Sequence, residues 1–334
     1  TESPRNYVYA AEGDVTVDET TFPDATFRQW VLDNITSGST TLTATMITNT
    51  TTIDVSSKNI ASLKGIEYFT ELNTLWCYRN QLTALDVSKN TKLETLVCYR
   101  NQLATLDVRN NPLLEQLSCA INQLTSLDVS NNPELQYLYC GGNKLTTLDV
   151  SKNQKLSSLA CEVNQLTSLD VSKNPELQSL DCYSNQLTAL DLSQNTALDS
   201  TRVYLSFDYD RNAAYQIPVF VAKKVGNKYV VNLKQNNAAL KAGNISELVS
   251  NGTYDSAAAT ITYDSKPDAT EKITYKYKTD GPGEEIMRVE GSITIDNGTV
   301  TNTADNNGTL LYTTLFLISL IGVSGMVVYT KRKN

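Results

Sequence analysis

The chain has 334 residues, with 28 Lys plus Arg against 36 Asp plus Glu, a net charge of −8 and no histidine. A net-acidic chain suits a polyanionic partner poorly, which argues against nucleic acid. Without histidine there is no Ser-His-Asp or Cys-His machinery and no His-containing zinc site, so chemistry would rest on carboxylates, Lys, Tyr or Cys. Residues 1–14 begin Thr1-Glu2-Ser3-Pro4 and read as a linker; the start lacks Met and any apolar leader, so a signal peptide is expected to have been removed. In Phe22-Pro23-Asp24-Ala25-Thr26-Phe27-Arg28-Gln29-Trp30-Val31, Pro23 stands near a helix start and Phe27, Trp30 and Val31 fall at helical spacing. Ile53-Asp54-Val55-Ser56 is a lead-in half-repeat, and 15–70 is read as an N-terminal cap.

Self-similarity dominates the middle of the chain. Cys77, Cys98, Cys119, Cys140, Cys161 and Cys182 recur every 21 residues, and six such units fill 71–198. Period-2 alternation points Leu75 and Cys77 inward and Trp76 outward. One turn cannot bury its own apolar face, but turns stacked at about 4.8 Å make a continuous core. The second half of each unit, as in Leu82-Thr83-Ala84-Leu85-Asp86-Val87-Ser88, repeats the same grammar. A short strand on each side of the coil and little helix are therefore expected.

Six cysteines in an exported chain raise the question of disulfides. Their shared inward register argues instead for a packed ladder, and a line of thiols without Cys-x-x-Cys makes no tetrahedral metal site. Asp86, Asp107, Asp128, Asp149, Asp170 and Asp191 form an outward ladder of like charge. It is expected to be held by hydrogen bonds to backbone N–H or to Ser88 and Ser130; a bound cation and a catalytic carboxylate pair are the alternatives. No cofactor or metal is assigned.

The residues that break the repeat carry the functional signal. Aromatic residues and arginine collect on the outer positions of the Cys-containing strands: Trp76, Tyr78, Arg79, Val97, Tyr99, Arg100, Tyr137, Tyr139 and Tyr183. Such side chains anchor protein interfaces and also stack on sugar rings, although aromatics favour strands in any case.

The repeat fails after Leu198. Region 199–299 alternates and offers strands at Val203 to Phe207, Ile217 to Ala222, Tyr229 to Leu233, Ala259 to Tyr263, Ile273 to Lys278 and Ile286 to Ile295, which suggests a β-sandwich-like domain that could also close the open end of the solenoid and act as a stalk. A polar linker, 300–309, leads to 310–329, a charge-free apolar stretch long enough to span a bilayer. Lys331, Arg332 and Lys333 in the tail 330–334 place the C-terminus in the cytoplasm and the rest outside.

The pattern Leu-x-x-Leu-x-Leu-x-x-Asn, with Cys at the third Leu, resembles leucine-rich repeat proteins, and Ile60-Ala61-Ser62-Leu63-Lys64-Gly65-Ile66 resembles the start of the array in internalin-like bacterial surface proteins. The resemblance implies that Asn80, Asn101, Asn122, Asn143, Asn164 and Asn185 form an inner hydrogen-bonding ladder. It also implies a calcium-loop position at Asp33–Gly38, where one carboxylate is too few for calcium. Val300-Thr301-Asn302-Thr303-Ala304-Asp305 resembles a degenerate Gram-positive sortase signal cut between Thr303 and Ala304, with Thr301 where Pro is usual and Ala304 where Gly is usual. The fold implied is mainly β: a capped leucine-rich repeat solenoid, a β-sandwich-like domain and one C-terminal transmembrane helix. The function implied is non-enzymatic adhesion or recognition at a cell surface, through a protein on a host or neighbouring cell. A glycan or cell-wall ligand is the alternative, and a carboxylate-based glycoside hydrolase ranks below both.

Overall fold

The structure, a computed structural model, describes residues 13–198, 203–204, 218–235, 240–268, 270–279 and 286–296. These belong to one compact unit. At the N-terminal end, β1 (Val15–Thr16) pairs antiparallel with β2 (Thr41–Leu42), and α1 (Ala25–Asn34) lies between them in the chain, with α2 (Ala44–Asn49) after. Asp24 caps α1: Oδ1 accepts from the N–H groups of Thr26 and Phe27 at 3.0 Å each. Its Oδ2 accepts from the N–H groups of Ala61 and Ser62 at 2.8 and 3.2 Å, so one side chain ties the helix to the start of the coil. Phe22, Phe27 and Val31 are fully buried there. Gly65, at φ +107°, lies so close to Phe22 that a Cβ would come within 2.2 Å of the ring.

Eight short strands then form one parallel sheet in chain order: β3 (Thr52–Asp54), β4 (Thr74–Trp76), β5 (Thr95–Val97), β6 (Gln116–Ser118), β7 (Tyr137–Tyr139), β8 (Ser158–Ala160), β9 (Ser179–Asp181) and β10 (Val203–Tyr204). The register is in step, with Leu75 opposite Leu96, Leu96 opposite Leu117 and so on through Leu180. The result is a mainly β solenoid with about 21 residues per turn. The segment Val203–Tyr204, expected to open the second domain, instead extends this sheet by pairing with Leu180 and Asp181.

Two expectations are corrected. The second half of each turn forms no strand among the described residues, only a single bridge between Asp86 and Asp107. The cause is local: Oδ1 of Asp86 accepts from the N–H of Ser88 at 2.9 Å, and the same contact recurs at Asp107, Asp128, Asp149, Asp170 and Asp191. That turn withdraws an N–H from any ladder with the next coil.

The second correction concerns the C-terminal region, where the described residues form one seven-stranded sheet and not the two layers of a sandwich. It comprises β11 (Val219–Val225), β12 (Lys228–Asn232), β13 (Ile245–Val249), β14 (Thr253–Asp255), β15 (Thr260–Tyr263), β16 (Lys272–Lys278) and β17 (Ile286–Asp296), in the order β13-β16-β17-β11-β12-β15-β14. All neighbours are antiparallel except β11 and β17. Phe220, Ala222, Val231, Ile261, Ile273, Tyr275, Val289 and Ile293 are buried. No second sheet is needed over them because the last solenoid turn supplies part of the cover. The Tyr275 hydroxyl donates to the Thr188 carbonyl at 3.2 Å, and Thr188 and Ala189 are buried. Their counterparts Thr83 and Ala84, Ala104 and Thr105, Thr125 and Ser126, and Thr146 and Thr147 are all exposed.

Among the described residues no helix is long and apolar enough to cross a membrane. Thr303, Ala304 and the apolar stretch 310–329 lie outside the described residues.

Candidate functional site

The six thiols are free and fully buried. Burial pushes all of them up, Cys119 to about 12, so they pack as neutral apolar groups. Beside them run two ladders of asparagine. In the first, Asn122 Nδ2 donates to the Cys98 carbonyl one turn back (3.1 Å) and to the Cys119 carbonyl of its own turn (3.0 Å), while Oδ1 accepts from Leu103 N–H at 3.0 Å. Asn80, Asn101, Asn143, Asn164 and Asn185 make the equivalent bonds. The second ladder, Asn90, Asn111, Asn132, Asn153, Asn174 and Asn195, was missed by sequence reasoning, although its 21-residue recurrence was visible. All six are fully buried, and each donates from Nδ2 to two backbone carbonyls of the preceding turn.

These ladders stiffen a face on which the side chains stand in columns. One column reads Asp54, Trp76, Val97, Ser118, Tyr139, Ala160, Asp181. The next, two residues on, reads Tyr78, Tyr99, Ala120, Gly141, Glu162, Tyr183. Tyr78 and Tyr99 stack with ring centres 4.7 Å apart and planes within 5°. Trp76 is 39% exposed and Tyr137 40%. Tyr139 and Tyr183 are half-buried, and Val97 is buried and presents little surface. Arg79 and Arg100 adopt φ +54° and +55°, where the chain leaves the strand, and their N–H groups donate to the carbonyls of Tyr99 and Ala120 at 2.9 Å. The structure thus brings Trp76, Tyr78, Arg79, Tyr99 and Arg100 onto the first two turns, with Tyr137 and Tyr139 together on the fourth.

The Asp ladder is held by its own hydrogen bonds. Bonds from the residue two positions on keep Asp86, Asp107, Asp128, Asp149 and Asp170 below the usual carboxylate range, Asp107 at about 2 beside Arg109. Two other carboxyls behave in the opposite way. Burial, with the Asp181 charge added, pushes Glu162 up to about 7, and burial pushes Asp181 up to about 6. Glu162 Oε2 and Asp181 Oδ1 are buried with no hydrogen-bond partner. The Glu162 carboxyl reaches back over Gly141, where a Cβ would come within 2.1 Å of Oε1. Asp181 stands in the first column of the face and Glu162 in the second.

No protein-family model matches the chain, and no curated protein matches it. Solved structures with likeness include the functional domain of InlJ from Listeria monocytogenes, described as including a cysteine ladder. It is 21% identical, with 84% of this chain and 99% of that one covered and a TM-score of 0.34. A leucine-rich repeat protein of Leptospira interrogans is 29% identical over 46% of this chain and 43% of its own, with a TM-score of 0.45. Internalin C2 of Listeria monocytogenes is 20% identical over 59% of this chain and 98% of its own, also with a TM-score of 0.45.

Proposed function

We propose that the chain is a non-enzymatic recognition or adhesion protein that binds a protein partner through the exposed strand face of its repeats. The observation that carries this reading is the aromatic platform on that face. Among the described residues, the large aromatic side chains left exposed are Trp76 and Tyr137. Both stand on the face with the Tyr78–Tyr99 stack and with Arg79 and Arg100. Rigid aromatics and arginine are the residues from which interface hot spots are built. The stacked tyrosines cover one ring face of each other, which leaves less flat surface for a sugar than for the edge of a protein segment. The same reading places the face outside a cell, carried by the apolar stretch 310–329 with its Lys331-Arg332-Lys333 end.

The test compares the whole chain with a Trp76→Ala, Tyr99→Ala, Tyr137→Ala triple variant for binding to a panel of intact cells and to a glycan array. Loss of cell binding by about a hundredfold is expected, with the circular dichroism spectrum unchanged. Undiminished cell binding by the triple variant overturns the reading. Binding confined to the glycan array assigns the face to carbohydrate.

A further inference from the structure

The strand face has two chemically different ends. Arg79 and Arg100 stand on the first and second turns, and Glu162 and Asp181 on the fifth and sixth. Among the described face positions of turns three to six there is no Lys or Arg. Ala160 is opposite Tyr139 on one side and Asp181 on the other, and Glu162 follows two residues on. The short side chain of Ala160 therefore stands in the column between Tyr139 and Asp181. Glu162 Oε2 and Asp181 Oδ1 each lack a hydrogen-bond partner. Such groups cost free energy in the unbound protein, so the face is incomplete as it stands.

What completes it must donate hydrogen bonds, carry positive charge and offer apolar surface to a tyrosine. A hard divalent ion asks for six or more oxygens, more than two carboxyls supply. A basic side chain meets all three demands, with its stem on the ring and its N–H groups on the carboxylates. Resting on the strand-face reading above, we propose that the partner is an extended protein segment whose lysine or arginine enters beside Ala160, between Glu162 and Asp181, while an acidic residue lies over Arg79 and Arg100. The two ends are three to five turns apart, about 14–24 Å at ~4.8 Å per strand, so an extended segment bridges them with its charges about four to seven positions apart in sequence.

Binding then depends on pH. The titrating groups around Glu162 are Asp181 and Tyr183 on the sixth turn, Tyr139 on the fourth, and the inward thiols of Cys140, Cys161 and Cys182. With the carboxyls at about 7 and about 6, both must give up their protons to receive a cation. Affinity therefore falls as pH falls, by about tenfold or more between about pH 8 and about pH 6.

The experiment selects random peptides displayed on phage against the whole chain, the Glu162→Gln, Asp181→Asn double variant, and the Trp76→Ala, Tyr99→Ala, Tyr137→Ala variant. Both carboxyl replacements are near-isosteric, and thermal unfolding verifies that the variants fold. The proposal expects enrichment of peptides with Lys or Arg spaced from Asp or Glu, loss of the basic residue from the selection on the double variant, and weaker binding at low pH only with the carboxyls intact. Peptides that need Trp76 and Tyr99 but show no basic preference, or bind the double variant as well, overturn the proposal and leave the strand-face reading standing. Peptides that bind the triple variant undiminished overturn both.

Discussion

At the residue scale, the second asparagine ladder shows how a repeat sets the stakes for each copy. Asn132 donates to the carbonyls of Val108 at 3.0 Å and Asn111 at 2.8 Å, while its own Oδ1 is buried without a partner. Each rung therefore works through its donor half and bears the cost of an unsatisfied oxygen. Asn132→Ala removes both donations and leaves a small void. We expect a loss of about 2 kcal/mol in urea unfolding, against less than about 0.5 kcal/mol for the exposed neighbour Asn131→Ala. Asn132→Asp has the same shape with no donor, and is expected to be worse than alanine because a carboxylate would face two carbonyl oxygens. At the first turn the outward position was legible by alternation, since Leu75 and Cys77 are buried and Trp76 is not, but Val97 and Ser118 at the same position of the next two turns are buried. The special state of Glu162 was not legible in that way. It depends on Gly141, a residue one turn earlier whose missing side chain makes the room.

At the scale of elements, Asp24 joins two things the sequence presents separately, a helix start and the beginning of the coil. Asp24→Ala removes four accepted hydrogen bonds, two at the helix and two at Ala61 and Ser62. An ordinary helix cap contributes about 1 kcal/mol; here about 2–3 kcal/mol is expected, with faster hydrogen exchange at the Ala61 and Ser62 amides. The solenoid strands were readable because a fixed period makes every copy vote for the same register. The edge strands Ile245–Val249 and Thr253–Asp255 carried no comparable signal. Each pairs on one side only and has mostly exposed or half-exposed residues, so burial imprints no alternation on them. The turn after each Asp misled for a related reason: its residues suit a strand, but the carboxylate claims an N–H the strand would need.

At the scale of the whole molecule, the expectation of a sandwich failed because alternation reports that a face is buried and not what buries it. The cover is partly the Thr188-Ala189 pair, whose chemistry hardly differs from the exposed pairs in earlier turns. That equivalence gives a clean comparison. Ala189→Lys buries an unpaired charge between coil and sheet, and should cost about 3 kcal/mol or more in thermal unfolding. Ala84→Lys, at the matching exposed position, should change stability by less than about 0.5 kcal/mol. Equal effects would mean that the sheet is not seated on the last turn.

The parallel pairing of β11 with β17 has a mechanical meaning. The sheet's first strand begins at Val219 and its last ends at Asp296, with five residue pairs in register from Val219 opposite Ser292 to Lys223 opposite Asp296. Because the two strands run in the same direction, tension applied where the chain enters and where it leaves pulls them past each other along their length. Their hydrogen bonds are loaded together, in shear, and must yield as a set. An antiparallel hairpin pulled at its open end would unzip one bond at a time.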